Sequence, residues 1–346
     1  VISVAVPTEA APAPKQPTCP SFTEYFDVNT PLPGKRSAEF GGYILDCPEP
    51  AYRSWPGVNA SVLKERTPCE MLHNMMASPK STAALTEGTL LHWAVLEQWR
   101  FAAWRDHMVV SPTKGLDTKA AEEVRFANPG KLVVTDELVI QANKCMDAVR
   151  ANDRAMAWLS GIDPDHGNAP KSPVAREATG VVWDGQHGVW RKIRVDLYPA
   201  VHRVMLDVKT SAAPLSQWFK ECLKWGYFDQ AAWYLDTHYR LTGEWRAWLW
   251  IVVTKSEPFM CRVFRLTTPK PTDPLYAESS YCKARQRLGL DPVPPNGGFK
   301  LGRLQMFLNS ARETEQLRSL GVEMHPRLLR QTWPAYEDET PEYEIF

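Results

Sequence analysis

Asp207-Val208-Lys209 lies in the apolar run MLDVKT. Side chains two apart on a strand share a face, so Asp207 and Lys209 project together while Val208 points the other way. A carboxylate beside an ammonium in an apolar strand is costly to bury unless something uses it. The run before it, RVDLYP, supplies Asp196, and only the turn Ala200-Val201-His202 separates the two strands. An antiparallel pair then brings Asp196 and Asp207 close enough to share a cation. With the Val208 backbone carbonyl, the two carboxylates make a hard, oxygen-rich site suited to Mg²⁺, with Mn²⁺ as a substitute. Such an ion polarises a phosphodiester, acidifies a bound water and stabilises charge on the leaving oxygen. Lys209 would orient or help deprotonate that water and offset phosphate charge. The same residues also make a plain ion pair at a strand end, and spacing alone leaves both readings open.

The elements that must position these residues can be read from periodicity. Asn59–Ser61 caps a short helix that Pro68 interrupts, and TEGTLLHWAVLE is a stronger helix with Thr86 as its cap and Leu90, Leu91, Ala94 and Val95 on one stripe. The segment around Leu138, Val139, Ala142, Met146 and Val149 is another helix, capped by Thr135 or Asp136. VAREATGVVWDG, GVWRKIRVDLYP and HRVMLDVKTS then read as a three-strand meander. A long helix from about Leu215 to Arg240 follows, then two strands, EWRAWLWIVVTK and FMCRVFRLTT, and a helix near Pro274–Leu288. A final helix is expected within LGRLQMFLNSARETEQLRSL. This order predicts an α/β fold with a mixed central β-sheet flanked by helices. The expected organisation is a peripheral arm over 1–35, one domain over 36–330 and an acidic tail over 331–346.

Composition bounds the rest. The 44% hydrophobic content and 14 tryptophans predict a folded domain. No run reaches the roughly 18 apolar residues that cross a bilayer, and the first residues lack the basic and apolar regions of a secretory signal, so a cytosolic location is expected. The seven cysteines include no CxxC pair, which removes local support for a zinc ribbon or iron–sulfur cluster and predicts reduced, mostly buried thiols. Lys plus Arg equals Asp plus Glu at 40 each. Five of the acids (Glu337, Asp338, Glu339, Glu342 and Glu344) lie in the final stretch, leaving the remainder at only +5, a charge that neither supports nor excludes a nucleic-acid partner. The tryptophans Trp218, Trp225, Trp233, Trp245, Trp248 and Trp250 have strand or helix spacings that predict core packing over base stacking.

D-x(10)-D-x-K followed by a helix bearing Gln and Tyr resembles the PD-(D/E)xK nuclease superfamily. More narrowly, SWPGVNASVLKERTPCEML, TEGTLLHWAVLE, EATGVVW, RVDLYP, LDVKTS and YFDQAAWYLD resemble, in order, the RecE-type phage and prophage exonucleases (exonuclease VIII) over about residues 52 to 240. The resemblance implies a PD-(D/E)xK core with Asp196 and Asp207 as metal-binding carboxylates, Lys209 as catalytic lysine and His92 as a further metal ligand. Gln230 and Tyr234, at i and i+4 on one helix face, match its Gln-x-x-x-Tyr. Glu177 matches an acidic position able to assist the metal. Asp207 stands where many superfamily members have Glu. The resemblance further implies 5′ to 3′ digestion of linear double-stranded DNA to leave 3′ single strands. It also implies a homo-oligomeric ring around DNA ends, a single-strand-annealing recombinase as partner, and a phage or prophage setting in a bacterial cytoplasm. Lys64, Arg66, Arg191, Lys192 and Arg194 are the basic candidates for DNA contact. The alternatives are another nuclease of the superfamily, Cas4-like or restriction-type, and a non-catalytic DNA-end-binding scaffold.

Overall fold

A computed structural model describes residues 41–44, 47, 49–54, 57–63, 83–166, 169–184, 187, 189–268 and 279–290. The arm over 1–35, the helix expected beyond residue 300, the acidic tail, Lys64 and Arg66 lie outside the described residues.

The centre is a six-stranded sheet of order β1-β4-β5-β6-β7-β8. Its strands are β1 (Gly41–Ile44), β4 (Val174–Asp184), β5 (Val189–Pro199), β6 (Val204–Ser211), β7 (Ala247–Thr254) and β8 (Cys261–Arg265). The expected meander is β4, β5 and β6, each antiparallel to the next. β7 runs parallel to β6, with Asp207 level with Trp250 and Lys209 with Val252, and β8 returns antiparallel. The mixed sheet read from the sequence is therefore the one observed. β7 is almost continuously buried, as a strand covered on both faces must be.

Two helical layers provide that cover. One face packs on α2 (Ala60–Leu63), α9 (Trp218–Trp225), α10 (Tyr227–Thr242) and α11 (Ser280–Leu288). The other packs on α3 (Ala83–Val95), α7 (Asp136–Arg150) and α8 (Asp153–Leu159). A small parallel pair, β2 (Met108–Val110) with β3 (Leu132–Val134), adds a satellite core with α3 and α7 that the sequence reading did not foresee. The shorter helices are α1 (Glu49–Ser54), α4 (Gln98–Ala102), α5 (Trp104–His107) and α6 (Lys119–Ala127).

Local details both follow and correct the sequence reading. Asn59 and Thr135 cap α2 and α7 by accepting from the amides of Val62 and Leu138. Thr86 is not a cap, because α3 already begins at Ala83 and Thr86 is buried within it. The long helix expected over 215–240 is two helices. Gly226 adopts φ +69°, ends α9 and restarts the chain as α10 at a new angle. Trp218, Trp233, Trp248 and Trp250 are buried as expected, whereas Trp225 and Trp245 are half exposed. Among the described residues the cysteines are free, and four of the five are buried.

His238 on α10 is fully buried and must be neutral. The Arg246 guanidinium donates to Nε2 at 3.1 Å, so the ring's proton sits on Nδ1, which faces the Tyr43 hydroxyl at 2.6 Å. Burial, and then the Arg246 charge, push its pKa down to about 3. The unfolded chain therefore binds this proton below about pH 6.5 while the folded chain refuses it, so stability falls as pH drops through that value. Denaturant unfolding at pH 7 and pH 5 is expected to show an acid loss about 2 kcal/mol larger in wild type than in His238→Gln. Equal losses in the two proteins would refute this assignment.

Candidate active site

Glu177 and Asp196 face each other at the one irregular step of the β4–β5 pair. The pairs Arg176–Leu197 and Ala178–Val195 flank them in unbroken register. On each side of the step the strands present different faces. Ala178 and Val195 pack into the core under α10, but Val174 and Leu197 pack into the core under α3 and α7. Residues an even number apart should share a face, so alternation slips by one residue in both strands at this point. Glu177 has φ +53°, the only non-glycine in the left-handed region among the described residues. That conformation costs an L-residue roughly 1–2 kcal/mol and persists only where the surroundings enforce it.

The slip turns both carboxylates toward His92 on α3. His92 Nδ1 lies 3.4 Å from Glu177 Oε1, and Nε2 lies 3.4 Å from Asp196 Oδ2. One ligand atom from each residue falls within a common 4.8 Å, a spacing able to hold a metal ion. Asp196 Oδ2 also accepts the Val208 amide at 2.7 Å, which ties the site to β6. At Val208 it is thus the N–H that the structure shows engaged with the site, where the sequence reading had named the carbonyl.

Asp207 and Lys209 project from β6 on the face covered by α10, as the two-residue spacing required. Asp207 Oδ1 accepts from Gln230 Nε2 at 3.1 Å, and Lys209 Nζ lies 2.5 Å from Asp207 Oδ2. That second oxygen is buried and has no hydrogen bond of proper geometry. Tyr227, in the first turn of α10, places its ring 5.2 Å from the Lys209 ammonium. The sequence reading missed Tyr227, although it precedes Gln230 by three and shares its helix face. Tyr234, one turn beyond Gln230, is buried edge-on against Trp248 in the core and supports the helix from within.

The electrostatics show how closely the charges at the site depend on one another. Burial raises the Asp196 carboxyl; His92 opposes this, Asp207 adds to it, and the result is about 7. Burial would also raise Glu177, but His92 and Arg194 overcome it and hold the group at about 2. Burial lowers His92, yet Asp196 and Glu177 lift it to about 9. Lys209 is likewise raised, because Asp207 and Asp196 outweigh its burial. As it stands the lysine is an ammonium, suited to orienting and neutralising charge. Glu177, Asp196 and Asp207 face His92, Arg194 and Lys209, and the hard oxygen donors plus one imidazole fit a divalent ion that would take the place of the His92 proton. His92, Glu177 and Asp196 would hold it, with Asp207 adjoining; once bound, it would activate water and polarise a phosphodiester.

The basic residues proposed for DNA contact are used differently. Arg191 is fully buried, its guanidinium bonded to Asp184 and, at 2.8 Å, to Asp236. Lys192 is buried and donates to the Tyr52 and Arg53 carbonyls. Arg194 pairs with Glu177 and donates to the Cys47 carbonyl at 2.8 Å. Desolvation without a phosphate explains the first two corrections: a side chain that already satisfies buried internal acceptors does not reach a backbone in solvent.

The comparisons bear on this geometry. Residues 60–275 match the family described as a PDDEXK-like domain of unknown function (DUF3799). The chain belongs to this PDDEXK-like family. The matched span contains His92, Glu177, Asp196, Asp207, Lys209 and Gln230, and membership places the chain with the PD-(D/E)xK nucleases, which use divalent metals. A crystal structure from Eubacterium rectale, provisionally named an exonuclease, is similar to it at 16% identity and a TM-score of 0.47, covering 81% of this chain and 89% of that one. No curated protein matches the chain. No described helix of this family member is long and apolar enough to cross a membrane.

Removing Arg191 would take from the buried Asp184 and Asp236 the cation they share in the core, leaving Arg240 to both, His187 to Asp184 and Arg285 to Asp236. Arg191→Met is expected to lower unfolding free energy by on the order of 3 kcal/mol in urea titration, the low end for a broken buried pair because these partners remain. A stability unchanged within error would contradict the structural role given to this residue.

Proposed function

We propose that the protein is a divalent-metal-dependent exodeoxyribonuclease acting on linear double-stranded DNA. The observation that carries this reading is the convergence of His92, Glu177 and Asp196 beside the Asp207–Lys209 pair, at the place where both strands break their alternation. Membership of a PDDEXK-like family supports the nuclease part. The exonucleolytic action, its 5′ to 3′ direction and the 3′ single strands left for annealing rest on the motif resemblance alone. So do a ring-shaped oligomer, a single-strand-annealing partner and a phage or prophage origin.

In this reading Asp207 accepts from Gln230, which fixes the carboxylate's rotamer and leaves its other oxygen toward Lys209. Lys209 holds a water or a phosphate oxygen in line and offsets the charge that builds up there. Mg²⁺ is the expected ion, with Mn²⁺ able to replace it, since both accept carboxylate oxygens. An intact His92, Asp196, Asp207 and Lys209 set favours catalysis over a scaffold that has kept only the fold.

The purified chain with Mg²⁺ is expected to release acid-soluble nucleotides from linear duplex and none in EDTA. Lys209→Ala should reduce that rate at least about 100-fold while DNA-end binding in Ca²⁺ persists. A duplex labelled at its 5′ end should lose label early as mononucleotide. End binding without release of nucleotides in any divalent ion would favour the scaffold reading.

A further inference from the structure

We infer that Arg194 is a positioning residue for the metal site, through which the α1 segment sets Glu177 in its ligating pose. The inference rests on the metal-site reading above. Arg194 Nε donates to Glu177 Oε2, while Oε1, the oxygen turned toward His92, stays outside that bond. The fork's other arm is anchored, with one terminal nitrogen donating to the Cys47 carbonyl at 2.8 Å. The guanidinium also lies 5.7 Å from the Tyr52 ring, and the next basic residue, Lys192, lies 5.0 Å from the same ring and donates to the carbonyls of Tyr52 and Arg53. A backbone bridge from Val58 to Arg191 and its flanking amides secure the end of this segment to β5.

Arg194 is therefore a strut between the segment holding Cys47 and Tyr52 and a carboxylate whose own backbone is strained. A planar guanidinium is suited to this because it fixes direction as well as charge. A residue at φ +53° gains nothing locally from that conformation, so something must hold it, and of its two side-chain contacts, to His92 and to Arg194, the bond to Arg194 is the shorter. Partners of this kind typically change metal affinity 10–100-fold when lost. The rival role, a direct contact to a DNA phosphate, would leave metal affinity alone.

The test is Mn²⁺ binding without DNA, read by calorimetry or by the paramagnetic signal of free ion, on wild type, Arg194→Gln, Arg194→Lys, Glu177→Gln and the Arg194→Gln/Glu177→Gln double variant. Arg194→Gln is expected to weaken Mn²⁺ about 10-fold or more, with Arg194→Lys recovering part of the loss. In the Glu177→Gln background the same change should have almost no further effect, since the two residues act as one unit. Circular dichroism and thermal melting identify folded variants, and if Arg194→Gln fails to fold, Arg194→Lys carries the comparison. Unchanged Mn²⁺ affinity in Arg194→Gln with weaker DNA binding would overturn the inference in favour of phosphate contact. An equal loss with and without Glu177 would overturn it too. Wild type that binds no Mn²⁺ would remove the metal-site reading itself, and the inference with it.

Discussion

Three carboxylates, Glu177, Asp196 and Asp207, meet at the junction of β4, β5 and β6, and each is held by its own cation or donor. Glu177 has Arg194, Asp207 has Lys209 and Gln230, and His92 lies between Glu177 and Asp196. Two like charges about 4 Å apart repel by roughly 4 kcal/mol at the effective dielectric of a protein's outer layers. Asp196 resists ionisation up to about 7, chiefly because it is buried, with the Asp207 charge adding to the effect and His92 opposing it. A fold selected for stability alone gains nothing from this arrangement. A fold that must hold a hard cation does, because the carboxylates supply the oxygen donors that such an ion prefers.

The rest of the architecture keeps that cluster from relaxing. β6 and β7 pair in parallel through the middle of the sheet with apolar side chains on both faces, so Asp207 and Lys209 stand on a rigid support. The break at Gly226 lets α10 start afresh, bringing Tyr227 and Gln230 over the strand ends while Tyr234, Trp233 and Leu235 bury the helix against the sheet. Gly180 permits close packing on the same face, where a Cβ would meet Leu241 of α10 at 3.0 Å. On the other face, the Lys255–Glu87 pair at 2.6 Å ties the helix that carries His92 to the end of β7.

Much of this was legible because it depends on local pattern. Alternation in MLDVKT fixes which residues share a face, and the meander and the flanking helices follow from runs and punctuation, whereas the parallel pairing of β7 with β6 is seen in the fold alone. The helix break was legible in principle, since Gly226 is where a left-handed cap fits, but the apolar period runs on through it and masks the change of direction. Glu177 was less accessible. Its place depends on a slip in alternation that two paired strands make together, and neither strand's sequence shows it alone. Trp225 and Trp245 show the converse limit: spacing alone does not bury an aromatic, since Trp225 ends α9 with its indole donating to Glu221 and Trp245 precedes β7 and stacks on the partly exposed Tyr239.

The run WRKIRVD shows most clearly why composition misleads about phosphate binding. Its three basic residues look like a cationic strip, yet Arg191 neutralises Asp184 and Asp236, Lys192 caps backbone carbonyls, and Arg194 holds Glu177. They lie in one strand whose two faces meet different neighbours, so none was free to form a common surface. The positive charge at the candidate site accordingly comes from Lys209, His92 and Arg194, to which an ion held by the carboxylates would add. On the reading proposed above, a neutral chain would act on a polyanion through charge gathered at one site, at short range and in low dielectric, instead of through surface charge that salt would screen.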